Sequence, residues 1–131
     1  MQHCYAVKVY YEDTDAGGVV YYANYLRFME RARTEYLREH GIDVPRLHDN
    51  GMFLVVAHLD ISYRGPAHLG ETLQVTSKLL ETKAVKATLR QQVLRDGELL
   101  VDALLSFACI DRSGKPLRLP PAFAALAASE A

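Results

Sequence analysis

Between Glu12 and Tyr25 the chain reads EDTDAGGVVYYANY. Three acids, Glu12, Asp13 and Asp15, stand within four positions, and Gly17 and Gly18 follow at once. Carboxylates so placed have three uses in chemistry. They hold a hard cation, they accept a phosphoryl group, or they attack or deprotonate at an acyl carbon. A fourth use is structural, since aspartates cap turns and asparagine caps helices.

The spacing separates these uses. A calcium loop counted from Asp13 needs an oxygen ligand at its fifth position and an acid at its twelfth. Those positions are Gly17 and Asn24, so the calcium reading fails. Asp13-Thr14-Asp15 resembles the Asp-x-Asp of haloacid-dehalogenase-type phosphatases, but Gly17 stands where that pattern has Thr or Val. Phosphatases of that type also need alternating strands and helices, which this chain lacks. Acyl transfer needs a carboxylate and a pair of N–H donors for the developing oxyanion. A glycine-bearing loop that runs into a helix start supplies free N–H groups, the positive dipole end and close backbone approach. The residues alone leave two readings open: acyl transfer, or Asp13 and Asp15 as turn caps with Asn24 as helix cap.

The elements around this stretch follow from apolar periodicity. Tyr5 to Tyr11 alternates, with Tyr5, Val7, Val9 and Tyr11 on one face, and predicts a strand. Residues 12–22 predict a loop. From Asn24 to His40 the period becomes helical, with Tyr25, Phe28, Met29, Ala32, Tyr36 and Leu37 in one stripe and Gly41 as the stop. Arg31 and Arg33 are expected on the wet face in ion pairs, Arg31 with Glu35. Four strands are predicted at 57–63, 73–79, 85–94 and 99–110, the last apolar on both faces and therefore central. Asp96-Gly97 marks a tight hairpin. Residues from about 117 to 131 predict a short, frayed Ala-rich helical tail.

A chain of 131 residues, half of them hydrophobic, is expected to form one domain, 1–131, with a core of its own. Its formal charge of −1 argues against nucleic acid or an anionic membrane surface as partner. Cys4 and Cys109 match no metal or redox spacing, and the five histidines are scattered. His58 alone stands out, on a strand whose other face is core, where it can line an acyl pocket in a neighbouring subunit. The N-terminus carries no basic-then-apolar leader pattern, so a cytoplasmic protein without membrane insertion is expected.

The stretch YYEDTDAGGVVYYANYLRFMERAR, Tyr10 to Arg33, closely resembles the signature of the 4-hydroxybenzoyl-CoA thioesterase family of hotdog-fold enzymes. In particular it resembles the Tol-Pal-associated acyl-CoA thioesterase branch, in which EDTDAGGVVY and ERARTE are typical. The resemblance implies an α+β hotdog fold, a five-stranded antiparallel sheet wrapped around one long central helix. The order of elements over about 5–112 agrees with it. It implies hydrolysis of acyl-CoA thioesters with no cofactor and no metal. Carried over by position, Asp15 is the catalytic carboxylate and the backbone N–H of Tyr22 receives the thioester oxygen. Gly18 shapes the loop, Asn24 opens the helix, and Lys83 meets coenzyme A phosphates, with Lys86 nearby. Position 22 is often His in that branch and is Tyr here, so a side-chain role there is not carried over. The family forms dimers that pair into tetramers. A lone helix leaves apolar sheet surface and edges uncovered, which also points to a homo-oligomer. The substrate carrier is coenzyme A or acyl carrier protein. The alternative is a non-catalytic hotdog module that holds an acyl thioester or a protein.

Overall fold

The structure, a computed structural model, describes residues 2–131. Strand β1 (His3–Lys8) leads through two short 3₁₀ turns, Tyr11–Asp13 and Tyr22–Asn24, into helix α1 (Tyr25–Glu39). Helix α2 (Val44–Asp49) follows, then β2 (Phe53–Tyr63), β3 (Thr72–Thr82), β4 (Lys86–Arg95), β5 (Glu98–Ile110) and α3 (Pro121–Glu130). The five strands form one sheet in the order β1-β3-β4-β5-β2. Every neighbouring pair is antiparallel.

Local chemistry accounts for the turns. Asp96 and Gly97 both take positive φ, 49° and 82°, the geometry of a type I′ turn that matches strand twist. Arg95 therefore pairs with Glu98 and starts the long β4–β5 ladder. Helix α1 ends in a left-handed Gly41 at φ 82°. Gly41 N–H donates to the Arg38 carbonyl and Ile42 N–H to the Leu37 carbonyl, a Schellman closure that seats Ile42 in the core.

The apolar stripe of α1 lies on the concave face of the sheet. Phe28, Met29, Ala32, Tyr36 and Leu37 are all buried, against Val75, Leu79, Leu89, Ala103, Leu105 and Phe107 from the strands. Each large side chain so placed contributes about 1.5–3 kcal/mol of transfer free energy. The predicted hotdog architecture is the observed one.

Several expectations are corrected. Tyr11 leaves the strand, because the chain turns after Val9, and its side chain is exposed. Strand β2 begins at Phe53, not at Ala57, and a bulge between Val56 and His58 hides its early alternation. Glu35 pairs with Arg38 (2.9 Å) and not with Arg31. Arg33 makes no ion pair among the described residues and turns inward to Gln91. The C-terminal segment is no frayed tail: α3 buries Phe123 and Leu126, and Phe123 packs on Phe107. Glu130 accepts a 2.6 Å hydrogen bond from the Tyr36 hydroxyl. No helix among the described residues is long and apolar enough to cross a membrane.

Candidate active site

The acidic stretch sits where β1 runs out. Val9 N–H still donates to the Glu71 carbonyl (2.9 Å), which ties the loop to the entry of β3. The 3₁₀ turn then directs Asp13 inward, where it is 9% exposed. Its Oδ2 accepts from Tyr10 N–H (2.9 Å) and its Oδ1 from Asn24 Nδ2 (2.8 Å). Its carbonyl accepts from Tyr21 N–H (2.9 Å). Asp13 therefore clamps both ends of the loop together. Asn24 stands at the helix start as expected, but its side chain caps nothing and binds Asp13 instead. The reason is geometric: Asn24 lies in a 3₁₀ turn with φ −72° and ψ −20°, not in the extended geometry of a capping residue.

Between the clamped ends the chain forms a tight hairpin. Asp15 N–H donates to the Val19 carbonyl (2.9 Å), and Gly18 N–H donates to the Asp15 carbonyl (3.0 Å). Gly18 takes φ 78°, which a residue with a Cβ rarely adopts. A Cβ on Gly17 would lie 3.3 Å from Asp15 Oδ1. Gly17 instead donates its N–H to that oxygen at 2.8 Å, so it orients the carboxylate. The other Asp15 oxygen has no partner among the described residues, and the side chain is exposed.

Asp15 opens onto a cleft of about 360 Å³ lined also by Val19, Tyr22, Tyr25, Tyr63 and Arg64. Tyr22 and Ala23 begin the second 3₁₀ turn, and their N–H groups find no acceptor among the described residues. They are the orphan donors that every helix start leaves. The Tyr63 hydroxyl donates to the Tyr22 carbonyl (3.1 Å), and its ring meets those of Tyr22 and Tyr25 at 6.0 and 5.8 Å. The Tyr22–Ala23 peptide is thus held in place from β2. Burial pushes the Tyr25 phenol up, countered in part by the Ala67 backbone N–H. Burial, followed by the neighbouring Tyr22 phenol, raises Tyr63. Both rings stay neutral near pH 7 and serve as donors and walls.

Of the residues singled out from the sequence, Asp15, Gly18, Tyr22 and Asn24 come together here. Lys83 does not. It lies exposed on the β3–β4 turn, where its N–H donates to the Lys86 carbonyl (2.7 Å). The eleven residues of β3 separate it from the loop by about 35 Å, at ~3.3 Å per residue. Lys83 shares a different cleft, of about 710 Å³, with Arg118, Pro120 and Pro121 at the start of α3. His58 is exposed on β2 and does not line the Asp15 cleft. Sequence reasoning missed Tyr63 and Arg64. Their only sequence signal is Tyr63 closing the alternating run of β2.

The family model described as the thioesterase-like superfamily matches residues 9–126. Acyl-CoA thioesterase YbgC of Haemophilus influenzae is 42% identical over 118 residues, covering 88% of this chain and 87% of its own length. Acyl-CoA thioester hydrolase YbgC of Escherichia coli O157:H7 is 37% identical over 116 residues, 88% of this chain and 84% of its own. The crystal structure of a probable thioesterase from Bartonella henselae superposes with a TM-score of 0.87 at 35% identity. It covers 92% of this chain and 100% of its own.

Proposed function

Since the chain belongs to the thioesterase-like superfamily, we propose that it hydrolyses acyl-CoA thioesters, with Asp15 as the catalytic carboxylate. The observation that carries the reading is the shared cleft: Asp15, with one carboxylate oxygen free among the described residues, and Tyr22, whose N–H meets no acceptor among them, line the same space. The thioester oxygen takes the Tyr22 N–H, where the helix start favours the negative charge that grows on it. Asp15 then delivers an oxygen to the carbonyl carbon and the thiolate of coenzyme A leaves: either a water that Asp15 deprotonates attacks and gives the acid directly, or Asp15 attacks itself and forms a mixed anhydride, which a water opens to release the acid and restore the carboxylate. A single turnover in ¹⁸O-water separates the two routes. Unlabelled acid with ¹⁸O in the Asp15 carboxylate identifies Asp15 as nucleophile, and labelled acid with no anhydride trapped by hydroxylamine identifies it as general base.

Gly18 is assigned the turn that presents Asp15, and Asn24 the clamp that fixes the helix start. Lys83 is assigned to coenzyme A phosphates bound at another copy's Asp15, because it lies too far from its own. This assignment requires a homo-oligomer, dimer or tetramer. The eleven-residue edge strand β2 and the exposed Val55, Val56 and Leu104 offer surface for one. The signature from Tyr10 to Arg33 supports the Tol-Pal-associated branch, and the carrier is coenzyme A in preference to acyl carrier protein because two basic residues, Lys83 and Arg118, meet in one cleft.

A panel of acyl-CoAs with a thiol reagent, run with and without EDTA, tests the function. Thiol release that ignores EDTA supports it. Binding without release assigns a non-catalytic acyl-thioester module, and EDTA-sensitive phosphate release assigns the phosphatase reading.

A further inference from the structure

A polar layer crosses the middle of the core. On β3 the inward positions run Leu73, Val75, Ser77, Leu79, and on β4 they run Ala87, Leu89, Gln91, Val93. Ser77 and Gln91 are both fully buried, level with each other in the register. On α1 the matching position is Arg33, between Met29 and Leu37 in the stripe that faces the sheet. The layer separates the two apolar clusters of the core, one around Phe28 and Val75 and the other around Tyr36 and Leu89.

The contacts within the layer have a direction. Gln91 Nε2 donates to the Met29 carbonyl and to Ser77 Oγ, both at 2.9 Å. Those bonds fix the amide and leave its Oε1 aimed at Arg33, whose Nη1 donates to it at 3.3 Å. One donor of five is thereby used. No carboxylate lies within ion-pairing distance of the guanidinium among the described residues. Glu30, which lines one cavity together with Arg33 and Thr34, accepts from Thr34 Oγ1 (3.1 Å). Arg33 is half-buried, and a partly desolvated cation whose one acceptor is neutral carries a cost that an apolar layer of the same shape would not. A polar layer that is retained despite its cost marks a site.

Arg33 also lines two adjoining cavities of about 130 Å³ each between α1 and β2. One is walled by Leu26, Met29, Val56, Leu59 and Leu105, and the other continues past Leu37 and Leu54. The order along α1 is then Tyr22 and Tyr25 at the Asp15 cleft, Leu26 and Met29 in the apolar stretch, and Arg33 beyond them. The guanidinium sits beside the Met29 turn, because Gln91 bridges the two. That is about 12 Å along the axis from Tyr22, at ~1.5 Å per α-helical and ~2.0 Å per 3₁₀ residue.

Resting on the thioesterase reading, we infer that this groove takes the acyl chain and that Arg33 binds a carboxylate at its far end, so the substrates are mono-thioesters of dicarboxylic acids. An extended chain of about eight carbons covers the distance from Tyr22 to Arg33. The guanidinium fork matches a carboxylate with two parallel bonds, in a site whose apolar walls strengthen them.

The test compares octanedioyl-CoA with octanoyl-CoA, a pair that differs only at the far end. Wild type should show a higher kcat/KM for octanedioyl-CoA, and Arg33→Met should lower that ratio by about 10- to 100-fold, the range for a lost charged hydrogen-bonded pair. Arg33→Lys should fall between, since it keeps the charge and loses the fork. The ratio of calorimetric Kd values for the same two ligands on Asp15→Asn, with and without Arg33→Met, decides the inference even if wild type turns over neither. A ratio that Arg33→Met leaves unmoved in both measurements overturns it. So does loss of an oligomer in Arg33→Met with the ratio unmoved, which assigns Arg33 to a contact between copies. Absence of turnover of both with a Kd ratio that still depends on Arg33 supports the carboxylate site, and the acyl-CoA panel then decides the hydrolase reading separately.

Discussion

Removing the Asp13 carboxylate should destabilise the fold, whereas removing that of Asp15 should not. Asp13 is buried and accepts from Tyr10 N–H and Asn24 Nδ2 at 2.9 and 2.8 Å. A hydrogen bond to a charged group contributes about 1.5–3 kcal/mol, and Asp13→Ala also strands two donors in a poorly solvated place. Asn24 keeps some access to water, so the lower half of that range applies to its bond. The two bonds together give an expected loss of about 3–5 kcal/mol, or roughly 10–20 °C in Tm for a chain of this size. Asp13→Asn should lose far less. Its carbonyl oxygen keeps the Tyr10 bond, and a flipped Asn24 amide accepts from its new Nδ2. Asp15 is exposed and bonds only Gly17 N–H, so Asp15→Asn should stay within about 0.5 kcal/mol of wild type. Urea unfolding followed by circular dichroism measures all three. An Asp13→Ala midpoint equal to wild type would refute the clamp, and equal losses for Asp13→Asn and Asp13→Ala would refute the amide-flip argument.

The chemistry and the remaining contacts make their own predictions. Asp15→Asn should lower kcat for acyl-CoA by about 10²–10⁴-fold, with little change in KM, in a thiol-release assay. Tyr63→Phe removes only the bond to the Tyr22 carbonyl, and should lower kcat by about threefold to tenfold while leaving the urea midpoint in place. Phe123→Ala empties a fully buried site against Phe107 and should cost about 3–5 kcal/mol by the same unfolding assay, where a frayed tail would show no change. Asp102 is held below the usual carboxylate range by its hydrogen bond to Arg90, with Gln92 and Arg64 adding to it. A depressed value contributes stability above the unfolded value of ~3.9 that is lost as pH falls through the lower folded one. Asp102→Asn should therefore flatten the fall in urea midpoint below about pH 4, and parallel profiles would refute it.

What the sequence determined by itself is local. The helical stripe from Tyr25 to Leu37, the Asp96-Gly97 turn, the Gly41 stop and the glycines after Asp15 each depend on residues within a few positions. Periodicity and φ preference act over that range. Asp15 and Tyr22 were named by the family resemblance alone, since the residues by themselves left a turn cap equally open; the fold adds that both line one cleft. The stretch from Tyr10 to Arg33 carried that resemblance because it too is local. Asn24 was misjudged because a capping residue and a tertiary hydrogen-bond partner look alike in sequence, and only the buried Asp13 distinguishes them.

Tertiary structure decided everything that depends on partners far along the chain. Tyr63 reaches the Asp15 cleft because β2 pairs with β5 and not with β3, a choice that no local signal in β2 expresses. Lys83 is carried to the far end of the eleven-residue strand β3, about 35 Å of chain from the loop, and a strand's reach is invisible until its register is set. The C-terminal alanine-rich segment has almost no amphipathic pattern, so the burial of Phe123 depends on the space that β3, β5 and α1 leave open. Arg33 was placed in solvent because arginine seldom replaces a core residue. Its inward turn depends on Gln91, fifty-eight residues later, which supplies the acceptor that the half-buried guanidinium meets among the described residues.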